Sequence, residues 1–291
     1  MKVFLTGSSG ILGADIQQQL LLANYDVLGF NSKNITLHSY NDVEIKVNDY
    51  MPDVVIHCAA MTNVDLCEDE KETAFATNVV GTQNLAVAAQ RVNAKIIYIS
   101  SCGVYGNGKA TPYTEQDDTV PQTYHHYTKL EGEKTVQKHN PNHIIIRPGW
   151  LFGGTMVQEK NFVEARRIEA LNTSLLKSVN DKVGSPTYTL DLARQIIHLL
   201  NKNITGVYNA VNEGCASRFG YVSEIIKQLN LTTTIEPVKS DEFPRKANMP
   251  DNECLQNFNL NLKKLNQMSN WIDSLKDYIT TTYHNKECIP Y

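Results

Sequence analysis

Hydrophobic and polar positions in the first 150 residues fall into two alternating rhythms. Residues 3–6 form a short apolar run ending at a glycine, and residues 11–24 carry Ile11, Leu12, Ile16 and Leu20 at helical spacing. A second strand is predicted over 25–31. Residues 53–58 (DVVIHC) and 95–100 (KIIYIS) are β-branched runs, continuous enough to be buried on both faces, and His143–Arg147 (HIIIR) is a further strand. Such runs are typical of parallel strands covered by helices. Helices are predicted over 71–91 and Tyr124–His139. This order implies an α/β fold, a Rossmann-like doubly wound parallel sheet with right-handed crossovers.

After Pro148 the rhythm changes. Helical patterns at Phe162–Leu171, 190–201 and 219–229 are separated by short strands and by loops holding Gly184-Ser185-Pro186 and Phe243-Pro244-Arg245. The expected division is a dinucleotide-binding domain over 1–150, joined by elements from 175–205, and a smaller mixed α/β C-terminal substrate lobe over 151–291. The tail after Tyr283 has no pattern, which predicts a frayed end.

Composition narrows the function classes. With 291 residues, 42% apolar and 20% charged, the chain is globular and needs no metal or disulfide staple to fold. Twenty-seven Lys and Arg against 31 Asp and Glu leave a net charge of −4, which argues against a nucleic-acid partner. The most apolar stretch, residues 54–61, contains His57 and is far shorter than the ~20 residues needed to span a bilayer. The N-terminus turns polar too early for a signal segment, so a cytoplasmic protein without a membrane partner is expected. Cys58, Cys67, Cys102, Cys215, Cys254 and Cys288 form no Cys-x-x-Cys pair and have no histidine at ligand spacing. They read as reduced thiols, and no metal site is expected.

Gly7-Ser8-Ser9-Gly10-Ile11-Leu12-Gly13 lies between the first predicted strand and the first predicted helix. Glycines let the backbone turn tightly and approach a pyrophosphate, and a helix N-terminus adds free N–H groups and a positive dipole. That context makes the string a dinucleotide loop rather than a plain turn. An NAD site places a carboxylate at the end of the second strand to accept from the adenosine ribose. Here Asn31-Ser32-Lys33 offers a cation and two neutral donors, favouring NADP(H) and leaving NAD(H) possible.

The Gly-x-x-Gly-x-x-Gly spacing resembles the short-chain dehydrogenase/reductase superfamily, and further motifs make the likeness specific. They are residues 57–65 (HCAAMTNVD), Asn78, Ser101, residues 128–133 (TKLEGE) and Arg147-Pro148-Gly149-Trp150. Gly184-Ser185-Pro186-Thr187 ahead of Asp191-Leu192-Ala193, and Glu242-Phe243-Pro244-Arg245, complete the set. Over nearly the whole chain they resemble the dTDP-4-dehydrorhamnose reductase family, within the extended branch of the superfamily. The resemblance implies hydride transfer from a nicotinamide to a ketone carbon while a tyrosine protonates the oxygen. A Ser or Thr hydrogen-bonds that oxygen, and a Lys one helical turn from the tyrosine lowers its pKa and holds the nicotinamide ribose.

Ser101 and Lys129 fall on the Ser/Thr and Lys positions. Four residues before Lys129, however, stands His125, so the family tyrosine is absent. Three readings stay open. His125 donates the proton, its reference pKa of ~6.5 suiting neutral pH. Alternatively Tyr124 or Tyr127 swings in, although each lies ~100–200° around the helix from position 125. In the third reading the nucleotide sites persist and the reaction has been lost.

By the same resemblance Gly7, Ser9, Gly10, Ile11, Leu12, Gly13, Cys58, Ala59, Ala60, Asn78 and Lys129 line the cofactor, with Asn78 also positioning the active-site helix. Thr62, Val64, Cys102, Trp150, Arg218 and Met249 fall on the substrate side. The family usually has Asp-Tyr where Cys102-Gly103 stand, a Trp near Arg218 and an Arg at Met249, which implies a changed sugar or nucleotide site. Asp65 and Glu68 read as helix-start charges. The implied protein is an NAD(P)H-dependent reductase of a nucleotide-linked 4-keto-6-deoxy sugar, serving deoxysugar or surface-polysaccharide synthesis as a monomer or homodimer. The alternatives are a silent dinucleotide-binding regulatory or scaffold protein, or a sugar-nucleotide epimerase.

Overall fold

The computed structural model describes residues 1–158 and 160–284. Strands β1 (Lys2–Thr6), β2 (Asp26–Phe30), β3 (Val54–His57), β4 (Lys95–Ile99) and β5 (His143–Arg147) form most of one parallel sheet. The chain then makes β6 (Trp150–Phe152), β7 (Leu175–Val179), β8 (Val183–Gly184) and β9 (Pro186–Tyr188), and returns as β10 (Gly206–Asn209) beside β5. The sheet order is β10-β5-β4-β3-β1-β2. Chain direction across the sheet reverses at β1, and ligands of open α/β sheets bind at such a switch point, beyond the carboxyl ends of the strands.

Both faces are covered. Helix α1 (Ile11–Leu22) lays Leu12, Ile16 and Leu20 on Val3, Leu5, Val54 and Ile56. On the opposite face, α2 (Tyr40–Tyr50) lays Val43 and Val47 on a cluster with Phe4, Val55 and Ile96. After α3 (Val64–Asp69), one rod runs through α4 (Lys71–Phe75), a π-helical turn at Ala76–Val80 and α5 (Gly81–Arg91). Helix α6 (Tyr124–His139) packs on α5. Each fully buried aliphatic contributes about 1.5–3 kcal/mol.

Helix α7 (Phe162–Leu171) follows, and α8 (Thr189–Leu200) lies on α1. Strand β11 (Ala216–Ser217), α9 (Arg218–Gln228), β12 (Thr234–Val238), β13 (Asn252–Glu253), α10 (Phe258–Leu262) and α11 (Trp271–Ile279) complete the described chain. Their strands form small sheets, β11-β8-β13 and β12-β7, beside the pair β6-β9. Around them Phe152, Tyr188, Tyr221, Trp271 and Tyr278 build a second, aromatic core.

The doubly wound parallel sheet is as expected, with three differences. Helices α2, α10 and α11 are not foreseen by the pattern; α2 buries only Val43 and Val47, so its apolar stripe is thin and its start is set by the Ser39 side chain accepting from Asp42 N. The helix expected over 71–91 is interrupted by the π turn. Cys215 and Cys254 are joined as a disulfide, against the expectation of six reduced thiols, because β11 and β13 flank β8 and bring distant cysteines together. Cys58, Cys67 and Cys102 are free. Cys288 and the tail from 285 onward lie outside the described residues.

Candidate active site

The loop after β1 is shaped by its glycines. Gly7 has φ +72°, and a Cβ there would meet Ala59 N at 2.7 Å; a Cβ on Gly13 would fall 2.0 Å from the Gly7 carbonyl oxygen. Only glycine allows the first turn of α1 to close on its own loop while that loop touches the residues after β3. Gly10 N donates to Gly7 O (3.0 Å), and Gly10, the N-cap of α1, makes no side-chain cap bond. The caps of α2, α3, α6, α7, α9 and α11 do. The first N–H groups of α1, with the positive end of the helix dipole, therefore face the loop with no acid in the first turn.

This cradle fits the diphosphate of a dinucleotide. Ile11 and Leu12 open α1, and Ser9 lends its carbonyl to the Gln158 amide (3.2 Å), bringing the loop after β6 alongside. At the end of β2, Asn31 Oδ1 accepts from Lys33 N (2.9 Å), forming a turn that exposes Ser32 and Lys33. No carboxylate stands in that turn, and the two exposed residues suit a 2′-phosphate.

Behind the loop, His57 crosses from β3 with Nδ1 on Thr6 Oγ1 (2.7 Å) and Nε2 on Thr82 Oγ1 (3.0 Å). Burial, and then the Lys129 charge, lower its pKa to about 3. It is a neutral strut. Asn78, in the π turn, is used internally as well. Its Oδ1 accepts from Met61 N (2.8 Å), while Nδ2 donates to Met61 O (3.1 Å) and Thr128 Oγ1 (2.9 Å). Thr128 in turn donates to His125 O (2.7 Å). The structure thus gives Asn78 the helix-positioning part of its expected role: its side chain is fully occupied by protein rather than turned to a cofactor.

Helix α6 carries His125 and Lys129. Its N-terminus is fixed by Thr123 Oγ1 accepting from His126 N (3.2 Å) and by Glu68 Oε1 accepting from Tyr124 N (2.7 Å). Lys129 Nζ lies 4.2 Å from the Tyr98 ring centroid on β4, facing Cys58 beyond β3. Burial pulls Lys129 down to about 7, with Cys58 and Glu133 opposing; burial pushes Cys58 up to about 12. Below it, Glu133 accepts from Arg147 Nε (2.9 Å) and an Arg147 terminal nitrogen (2.6 Å), and from the Ser100 hydroxyl. Ser101, just past β4, caps a short 3₁₀ turn by accepting from Gly103 N (3.4 Å).

His125, one turn before Lys129, is buried with neither ring nitrogen hydrogen-bonded. Burial first, then the charges of His126, Lys129 and Lys160, hold its pKa well below the usual imidazole range. Tyr124 does not reach this position. Its ring packs 5.6 Å from Tyr127 and 5.3 Å from Lys71 Nζ, because residue 124 turns toward α3 and α4. Tyr127 is exposed.

Among the residues expected on the substrate side, Trp150 and Cys102 gather around one that the sequence reading missed. Glu253, on β13, is buried. Oε2 accepts from Trp150 Nε1 (2.8 Å), and Oε1 accepts from Cys102 Sγ (3.5 Å) and stands 3.9 Å from His126 Nε2. Burial, then Glu253, push the Cys102 thiol far up, so it stays neutral. The Arg218 guanidinium stacks over Trp150, its carbon 3.4 Å from the ring centroid. Thr62 Oγ1 accepts from Lys160 Nζ (2.6 Å), another cation the sequence reading missed, and Val64 opens α3. Met249 is fixed by its carbonyl, which accepts from Lys182 Nζ (2.9 Å). Asp65, expected as a helix-start charge, also accepts from Arg245 (2.9 Å) and Ala247 N (3.0 Å), tying α3 to the C-terminal lobe. Glu68 instead caps α6.

Comparisons with known proteins decide the family. The RmlD substrate binding domain family matches residues 1–284. The chain belongs to that family. It is similar to the spore coat polysaccharide biosynthesis protein SpsK of Bacillus subtilis, 32% identical over 96% of both chains. Among solved structures, a dTDP-4-dehydrorhamnose reductase of Clostridium acetobutylicum superposes with TM-score 0.93 at 35% identity, covering 97% of this chain and 99% of that one. The Bacillus anthracis dTDP-4-dehydrorhamnose reductase in complex with NADP superposes with TM-score 0.93 at 31% identity, covering 97% and 99%. The chain is thereby a member of the extended short-chain dehydrogenase/reductase superfamily.

Proposed function

We propose that the protein is an NADPH-dependent reductase of a dTDP-linked 4-keto-6-deoxy sugar, in deoxysugar or polysaccharide synthesis, working as a cytoplasmic monomer or homodimer. Residues 1–150, with elements of 175–205, bind the dinucleotide, and residues 151–291 shape the substrate side. NADH remains a usable cofactor. One observation carries the reading: His125 and Lys129 lie one turn apart on α6, beside the strand end bearing Ser101, and His125 has two buried, unpartnered ring nitrogens. Membership of a family whose solved structures include an NADP complex supports the cofactor. Among the described residues no helix is long and apolar enough to cross a membrane.

A bound reduced nicotinamide would supply hydride to the ketone carbon. The chain's own groups do the rest. Ser101 Oγ hydrogen-bonds the ketone oxygen, His125 delivers a proton to it, and Lys129 holds the cofactor ribose while its charge disfavours an idle imidazolium. Burial around Tyr98 and His125 keeps water from the reacting centre.

The test is loss of reduced-nicotinamide absorbance with dTDP-4-dehydrorhamnose. Turnover is expected, and His125→Ala is expected to lower kcat by ~10²–10⁴-fold with NADPH affinity by calorimetry unchanged. Tight NADPH binding without turnover would instead establish the silent reading.

A further inference from the structure

Three buried ring nitrogens in this site, both of His125 and Nδ1 of His126, have no hydrogen-bond partner among the described residues. They belong to one cluster: the two rings meet edge to face with centroids 5.1 Å apart, and His126 Nε2 faces Glu253. Buried polar groups are ordinarily satisfied, so three orphans on adjacent rings call for a role.

The seat of His126 is specific. A Cβ on Gly103 would fall 2.0 Å from His126 Cε1 and 2.2 Å from Nδ1. The imidazole therefore occupies the space that any side chain at 103 would take. Opposite it, the carboxylate of Glu253 is pinned from behind by Trp150 Nε1. Helix α6 and strand β13 thus place an imidazole and a carboxylate face to face directly behind the proposed donor.

We infer that His126 and Glu253 form a proton reservoir for His125. The inference rests on His125 being the donor. In each turnover the ketone carbon gains the hydride from the reduced nicotinamide, which is thereby oxidised, and the ketone oxygen gains a proton from His125, which draws one from His126 and so is neutral before and after. His126 is recharged from solvent, Glu253 offsetting the positive charge while His126 holds it.

Electrostatics assign the storage site. The groups facing His125 are His126, Lys129 and Lys160, all of which oppose its protonation. Those facing His126 are His125, Glu253 of β13 and Glu68 of α3, and both carboxylates favour its charged form against burial. Glu253 is shared with Cys102 and Arg218, and the Arg218 charge limits how far it can favour His126.

Glu253→Gln removes the charge and keeps an acceptor for Trp150, its amide NH2 taking the place of the oxygen that accepts from Cys102. In the full-length protein it is expected to lower kcat by roughly 10–100-fold with KM within about twofold. The alkaline fall of the rate should move to lower pH by about one unit, because the protonated imidazole loses its counter-charge. Glu253→Asp should recover part of the rate, and the His126 ring resonance, followed by NMR, should titrate lower in Glu253→Gln than in wild type. His126→Gln provides the second variant should Glu253→Gln fail to fold. Wild-type kcat and pH profile in either folded variant, alongside an inactive His125→Ala, would overturn the reservoir and leave the reductase reading standing. Wild-type turnover in His125→Ala would overturn that reading itself.

Discussion

The dinucleotide cradle and the substrate face meet along α6, yet they are built from different materials. The cradle is backbone: glycines at 7, 10 and 13, an uncapped helix end, and Thr6, His57 and Thr82 closing their hydrogen bonds among themselves. The region along α6 and β13 is side chain: Lys129, Glu133, Arg147, Arg218 and Glu253 are charged groups in or near the core, with two histidines beside them. Steric fit governs the first region and desolvation the second. A cradle tolerates almost no added volume and is indifferent to pH above the ordinary imidazole range, below which the neutral His57 costs stability. A buried charged cluster tolerates reshaping, yet its stability shifts with every proton.

The largest effect should come from Arg147→Met, which leaves Glu133 buried without its partner. A loss of about 3–5 kcal/mol in urea unfolding is expected, largely recovered in the double variant with Glu133→Leu. A loss below about 1 kcal/mol would show that the pair does not support the site. Lys129→Met comes next. Its folded-state pKa of about 7 lies below the unfolded value of ~10.4, so between them the unfolded chain holds more protons. Wild-type stability should therefore rise with pH across that window. Lys129→Met should remove the slope and stabilise the protein by roughly 2–4 kcal/mol near pH 7. A slope unchanged in the variant would mean that the lysine is not desolvated. Smallest in stability is Gly13→Ala, whose Cβ meets the Gly7 carbonyl: about 1–3 kcal/mol, the same at every pH, with NADPH affinity strongly reduced in calorimetry. A Gly13→Ala cost that varied with pH would erase the distinction between the two regions.

The same division explains what the sequence discloses. Gly7, Gly10 and Gly13 sit within seven residues between a strand pattern and a helix pattern, so the cradle is written locally. Ser101, His125 and Lys129 are legible because helix spacing and a family motif place them. Glu253 is not. It sits in a two-residue strand paired with β8, about seventy residues earlier, and no periodicity marks so short an element. Its neighbours Trp150, Cys102 and His126 come from three other segments, so only the assembled fold shows the cluster. Asn78 was legible as a polar residue on an apolar helix, but its fully occupied amide depends on Met61 and Thr128, which the sequence could not bring together.

The contact between Gly103 and His126 also constrains the order in which this site can have changed. An imidazole at 126 has no room while position 103 carries a ring, and a ring cannot return to 103 while the imidazole stays. Bulk can be added at 103 only after it has been removed at 126, and the two positions can exchange it only through an intermediate that leaves the space unfilled.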